Sequence, residues 1–359
     1  MDYNGGAVLP VAIDRTVKIA ARERDDGKIG LAALDLGERI VLDLSGLDQK
    51  RDLSGHALPP WALYPAGVAS VLQEHGLTVK GIDAVYTSDI PIGAGLSSSA
   101  AVEVAFAVLW QEIGGWSLDR LALAKLCQEA ENHYVGLNCG LMDQFASANG
   151  IEGHVMVFDT KSLESETVPL PQGVALVIAD SGVRHTLASS AYNERRASCD
   201  EALSIIKSLL PGVETLADIH PDEFRPLAER LPEIPRKRAG FVVSECARVR
   251  QAVGLLNQGK AADFGKLMIA THAGLRDDYE VSCAELDCLV DTACSLSGCL
   301  GARLTGAGFG GCTVNLVEET NAEAFMVGLR EGYRKKMGKE ANIFRCKASQ
   351  GAQVFRLEK

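Results

Sequence analysis

The segment Pro91-Ile92-Gly93-Ala94-Gly95-Leu96-Ser97-Ser98-Ser99-Ala100-Ala101 constrains this chain more than any other, because a glycine and serine turn runs without a break into helix formers. Two glycines reach dihedral angles closed to other residues and let a backbone approach a ligand closely. Three serines offer hydroxyls and a helix N-cap, and Ala100-Ala101-Val102-Glu103-Val104-Ala105 continues with good helix formers. A helix N-terminus presents free N–H groups and the positive end of the helix dipole, which suits a phosphate. A Gly/Ser turn that merely caps a helix would look the same, so the segment alone leaves both readings open.

With 359 residues the chain is long enough for two domains, each with its own core. The net charge of −11 argues against sequence-independent nucleic-acid binding, which needs a basic surface. No N-terminal stretch has the order of a signal peptide, and Glu103 interrupts the longest apolar run, so no membrane association is expected. The ten cysteines include no C-x-x-C pair, which fits a reducing, cytoplasmic setting. Cys283, Cys288, Cys294 and Cys299 cluster at a spacing that fits no zinc pattern, and they read as a structural helix.

Local patterns give an α+β class rather than a strict alternation. Ala7–Val17 reads as a strand, Lys28–Leu44 as a hairpin, Trp61–Glu74 as a helix and Val79–Ser88 as a strand leading into the loop. Helices are expected over Ser98–Ile113, Leu118–Tyr134 (with Asp119 in its first turn) and Gly140–Ala148. Strands follow at His154–Phe158 and Val174–Ile178, and amphipathic helices dominate from Tyr192 to Leu296. Mixed structure returns at Arg303–Val317, a helix from Asn321 to Met337, and strands at Ile343–Cys346 and Gln353–Arg356. A domain boundary is expected near residue 180, giving 1–180 and 181–359.

No Gly-Lys pair is followed by Ser or Thr, so the loop is not a P-loop. Gly306-Ala307-Gly308-Phe309-Gly310-Gly311 has the spacing of a dinucleotide fingerprint, but a strand-like run, Cys312–Val317, follows where that fingerprint needs a helix. A glycine run able to lie against a ligand is the better reading. Together, Asp2-Tyr3-Asn4-Gly5-Gly6, Pro91–Ala101, Cys139–Phe145, Val183–Tyr192, Leu275–Ser282 and Leu304–Cys312 closely resemble, in order, the motifs of the galactokinase branch of the GHMP small-molecule kinases.

The resemblance implies a two-domain fold: an N-terminal domain like ribosomal protein S5 domain 2 and a C-terminal ferredoxin-like domain. It implies ATP and Mg²⁺ as cofactors, a small sugar as substrate, and a monomer. Asp143 takes the place of the catalytic base, accepting the anomeric proton as the sugar oxygen attacks the γ-phosphorus. Ser99 and Glu131 take the places of the Mg²⁺ ligands, with Glu129 the competitor in sequence. Pro91, Gly93, Ala94, Gly95, Leu96, Ser97, Ser98, Ser99 and Ala100 correspond to the ATP phosphate loop, and Trp61 and Tyr64 to the adenine pocket, although a helical pair three apart could equally be core. Asp2, Gly140, Asp143 and Tyr192 correspond to sugar-binding positions, which fit galactose. Arg184 matches a family position to which no catalytic role is assigned.

The chain departs from the family at its start. The signature Gly-Arg-x-Asn-Leu-Ile-Gly-Glu-His-x-Asp-Tyr is entered only at Met1-Asp2-Tyr3, so its arginine and Glu-His are absent. Either the start is assigned too late or the protein is truncated and catalytically impaired; agreement among the other motifs favours the first. Two rivals to a galactokinase remain on sequence grounds: a sibling kinase for arabinose or N-acetylgalactosamine, and a galactose and ATP sensor without turnover.

Overall fold

The computed structural model describes residues 2–184 and 188–356. The chain forms two compact units, and neither is one stretch of sequence. The first holds Met1–Val11, Gly93–Leu96 and Glu152–Ala348; the second holds Ala12–Ile92, Ser97–Ile151 and Ser349–Lys359.

The first strand, β1, covers only Ala7–Val8. The longer strand expected over Ala7–Val17 does not form, because Pro10 lacks the N–H that a ladder needs. The Pro10 carbonyl still accepts from the Met156 N–H at 3.0 Å.

The second unit then builds β2 (Val17–Arg24), β3 (Lys28–Ala33), β4 (Glu38–Asp43), α1 (Pro60–Glu74), β5 (Gly81–Ser88), α2 (Ser98–Gly114), α3 (Arg120–Glu129) and α4 (Met142–Asn149). Its sheet has the order β2-β5-β3-β4, with β3 and β5 parallel and the other pairs antiparallel. The expected hairpin is present, and Ile29, Leu31 and Ala33 alternate inward as a half-buried strand requires. Tyr86, Phe106 and Trp110 form an aromatic row with centroid separations of 5.6 and 5.5 Å. The Trp110 indole donates to the Lys80 carbonyl at 3.2 Å, so its polar handle is satisfied inside the core. Burying an aromatic side chain of this kind stabilises by about 2–3 kcal/mol, which fixes α2 along its length.

The helix expected over Leu118–Tyr134 is interrupted. Asp119 is the N-cap of α3, accepting from the Ala122 N–H at 2.7 Å, and Ala130–Val135 is a π-helical turn. One extra residue in such a turn rotates the side chains after it, a feature frequent at functional sites.

The first unit continues with β6 (His154–Asp159), β7 (Ser165–Pro169), β8 (Val174–Asp180), α5 (Ala188–Leu209), α6 (Pro221–Ala228), α7 (Glu233–Asn257), α8 (Ala261–Asp277), α9 (Ala284–Cys294), β9 (Cys299–Leu304), β10 (Cys312–Glu318), α10 (Ala322–Met337) and β11 (Asn342–Cys346). Strands β1, β6 and β7 make a small antiparallel sheet. A second antiparallel sheet has the order β11-β8-β10-β9. Leu289 and Val290 of α9 and Phe325, Leu329 and Tyr333 of α10 share a core with Val177, Ala179, Ala302 and Val317 of this sheet. Gln353–Arg356 forms no strand. Cys288 and Cys294 lie on α9 with Cys283 at its N-cap, and Cys299 starts β9. Among the described residues no three His, Cys, Asp or Glu side chains are grouped to hold a metal, and no helix is long and apolar enough to cross a membrane.

Phe106 has no solvent exposure. Phe106→Ala is expected to cost about 3–5 kcal/mol, as cavity-forming aromatic truncations do, read as a fall in the denaturation midpoint of the second unit followed by Trp110 fluorescence.

Candidate active site

The loop before α2 has an alternating backbone. Gly93, Gly95 and Ser97 have φ of +64°, +74° and +57°, while Ala94 and Leu96 between them do not. Alternation of this kind aims successive N–H groups toward one side, the geometry of an anion-binding nest. Ser97 stands at the N-cap of α2 but makes no side-chain cap bond, contrary to the expected serine cap. Its left-handed backbone turns the chain instead, a conformation that costs a non-glycine residue of order 1 kcal/mol. The first-turn N–H groups of α2 therefore lack the usual side-chain acceptor.

Within the first unit, the glycine run at 306–311 is the partner of residues 94 and 95. A Cβ on Gly306 would lie 2.6 Å from the Gly95 Cα, and one on Gly311 would lie 2.5 Å from the Ala94 carbonyl oxygen. A Cβ on Gly95 would in turn lie 2.9 Å from the Thr305 carbonyl oxygen. The run thus lets two backbones meet, and β10 follows it. Arg184 lies beside Gly93, its Cδ 3.3 Å from where a Cβ on that residue would stand. A bidentate pair with the nearly buried Asp180, at 2.8 and 2.7 Å, holds the guanidinium. The sequence assigned Arg184 no role. His185–Leu187, part of the same motif, lie outside the described residues.

Within the second unit a polar cluster gathers on α2, the π-helical turn and α4. The Ser99 hydroxyl hydrogen-bonds the Glu131 carboxylate. Glu131 Oε2 also accepts from Gln144 Nε2 at 2.6 Å and from the Cys139 thiol at 3.1 Å. The same Gln144 Nε2 donates to Glu103 Oε2 at 3.0 Å. Glu103, Glu131 and Gln144 are all buried. Burial pushes both carboxyls above their usual range; at Glu131 the bonds from Cys139, Ser99 and Gln144 oppose it, whereas Glu103 has Gln144 alone and the nearby charge of Glu131 against it. A serine hydroxyl beside a carboxylate is an oxygen donor set that fits Mg²⁺. Glu129, the competitor in sequence, faces away and pairs with His75 at 3.0 Å.

Asp143 stands in the first turn of α4, next to Gln144, and adds to the charge felt by Glu103. Gly140 is buried just before that helix. Tyr64 is half-buried near these acids, and its phenol is pushed up to about 12 by burial and by Glu131, Glu103 and Cys139. Trp61, three residues earlier, packs on Tyr86 at 6.0 Å and donates to Glu38. Asp2 and Tyr192 belong to the first unit, where Tyr3 links them. The Tyr3 ring meets Tyr192 edge-on at 5.5 Å, its N–H donates to Asp2 Oδ1 at 3.1 Å, and Arg196 lies over it at 5.6 Å. The Tyr3 hydroxyl bonds that of Tyr279. Sequence reading passed over Glu103, Gln144, Tyr3 and Tyr279. For Glu103 a signal existed: it is the one charge in the run Ala100–Trp110 and lies one turn past Ser99.

Two glycines of the first unit separate backbone strain from steric contact. Gly338 has φ +64° with open space around its Cβ position, whereas Gly306 has φ +74° against the Gly95 backbone. Gly338→Ala is expected to cost about 1 kcal/mol, and Gly306→Ala clearly more, with loss of nucleotide affinity only in the second. Thermal denaturation and calorimetric titration with ATP check both.

Residues 64–150 match the GHMP kinases N terminal domain, and residues 252–335 the GHMP kinases C terminal domain. The chain is 45% identical over 350 residues to the galactokinase of Roseiflexus sp. (strain RS-1), covering 98% of this chain and 88% of that protein. It is similar to the crystal structure of Lactococcus lactis galactokinase in complex with galactose, with a TM-score of 0.92 and 34% identity over 98% of this chain and 90% of that one. A mevalonate kinase shares the fold, at a TM-score of 0.65 and 21% identity, over 98% of this chain and 95% of that one. The mixed sheets and helices, the glycine-backed loop and these matches agree: the chain belongs to the GHMP kinases, in the galactokinase branch, and is a phosphotransferase of the two-domain fold of that family.

Proposed function

We propose that this kinase transfers the γ-phosphoryl group of ATP to the anomeric hydroxyl of galactose, giving galactose 1-phosphate and ADP. The observation that carries the reading is that Asp143, in the first turn of α4, directly precedes Gln144, whose amide donates to the same Glu131 carboxylate that the Ser99 hydroxyl bonds. Asp143 accepts the anomeric proton as the sugar oxygen bonds to phosphorus and the bond to the ADP oxygen breaks. Ser99 and Glu131 hold Mg²⁺, and Pro91 through Ala100 carry the phosphates of ATP on backbone N–H groups. Bound there, Mg²⁺ offsets charge on the transferring and leaving phosphates. Arg184, fixed by Asp180, supplies positive charge beside Gly93. Trp61 and Tyr64 flank the base. Asp2, Gly140, Asp143 and Tyr192 bind the sugar, where directional hydrogen bonds reject an epimer that leaves them unpaired. The family domains divide near residue 180, which leaves the two matched segments on opposite sides. The enzyme works as a cytoplasmic monomer.

Release of ADP on adding galactose to ATP, Mg²⁺ and the purified chain tests the reading. Galactose-dependent turnover is expected, and Asp143→Asn should lower kcat by roughly 10²–10⁴-fold, the usual worth of a positioned base. Calorimetric binding of galactose and ATP without turnover would overturn it in favour of a sensor. Faster turnover of arabinose or N-acetylgalactosamine would transfer the assignment to a sibling kinase.

A further inference from the structure

Behind Ser99 and Glu131 lies a buried polar group that the proposed reaction does not use. Glu103 follows Ser99 by one helical turn on α2, so both face the same side of the helix. Neither Glu103 nor Gln144 has any solvent exposure. The Gln144 amide nitrogen has two hydrogens, and both are committed: one to Glu103 at 3.0 Å, one to Glu131 at 2.6 Å. The remaining oxygens, Glu103 Oε1 and Gln144 Oε1, have no hydrogen-bond partner among the described residues. A buried pair left half satisfied is a poor way to stabilise a core, since apolar residues of similar volume usually do as well or better. Its geometric consequence is specific, because it fixes the rotation of one carboxylate. Glu131 extends from a π-helical turn, and its Oε2 accepts from both the Gln144 amide and the Cys139 thiol.

We propose that Glu103 and Gln144 are positioning residues for the divalent cation: Glu103 anchors the Gln144 amide, and the amide holds the Glu131 carboxylate in the orientation that faces the Ser99 hydroxyl. The proposal rests on the reading of Ser99 and Glu131 as the Mg²⁺ ligands. Residues that orient a metal ligand typically change metal affinity by 10–100-fold when removed. The chain of contacts also passes through the residue next to Asp143, so one amide sets both the cation ligand and the first turn of α4.

The experiment is a Mn²⁺ titration of the purified chain in the presence of ADP, with free Mn²⁺ read by electron paramagnetic resonance and galactose affinity measured by calorimetry on the same samples. Glu103→Leu and Gln144→Met are expected to weaken Mn²⁺ binding about tenfold or more while galactose affinity holds. Glu103→Gln, which keeps an acceptor for the amide, should retain most of the affinity. Gln144→Asn, one methylene shorter and the mildest change, should fall between and serves if the larger substitutions do not fold. Wild-type Mn²⁺ affinity in folded Glu103→Leu and Gln144→Asn, alongside weakened Ser99→Ala and Glu131→Gln, would overturn this proposal alone. Wild-type affinity in Ser99→Ala and Glu131→Gln as well would overturn the assignment of the ligand pair beneath it. Parallel loss of Mn²⁺ and galactose binding in Glu103→Leu and Gln144→Asn would overturn the positioning role in favour of plain core support.

Discussion

Two backbones meeting with no side chain between them are the constraint on which the loop before α2 depends. Gly95 lies against Thr305 and Gly306, and Ala94 against Gly311, at distances that a single methyl group would violate. The turn joining β9 to β10 is therefore a backing for residues 93–96, supplied from far along the sequence. The positive φ at Gly93 and Gly95 is tolerated because glycine accepts it, and at Ser97 because the surrounding chain over-determines it. A loop whose conformation is set from outside need not be ordered by its ligand, so little conformational entropy is lost on binding.

Helix α2 carries the other half of the arrangement. Its middle, Phe106 and Trp110, is fixed by aromatic packing in the core, and this rigid body delivers Ser99 and Glu103 at defined heights on one face. The π-helical turn at Ala130–Val135 carries Glu131, and Gly136 in the left-handed region ends the element.

Much of this was legible in the sequence, for reasons that differ by element. The loop, the hairpin and the long helices announce themselves through glycine, alternation and apolar runs, because those patterns act locally. The role proposed for Asp143 rests on resemblance alone, since any carboxylate in a first helical turn favours the dipole. The strand expected at Gln353–Arg356 failed because alternation states which face is apolar and not whether a ladder partner exists. The π-helical turn has no residue pattern of its own; a proline or glycine would mark a break, and Ala130-Glu131-Asn132 holds neither. Ser97 misled for a subtler reason. Serine is a good N-cap on average, but here its backbone is left-handed and its side chain makes no cap bond.

The buried acids of the second unit show where local preference and function part. A run such as Ala100–Trp110 would bury most favourably with an apolar residue at 103, and the Gln144 amide would then lose one acceptor. The network that exists leaves two oxygens unpartnered, so it is not the arrangement that stability alone would select. Its members nonetheless sit on α2, the π-helical turn and α4, the three elements that carry Ser99, Glu131 and Asp143. A polar tie among three helical elements resists relative sliding in a way that interchangeable methyl contacts do not, because a hydrogen bond fixes direction as well as distance. Stability given up in that place is consistent with a site that must hold one carboxylate in one orientation.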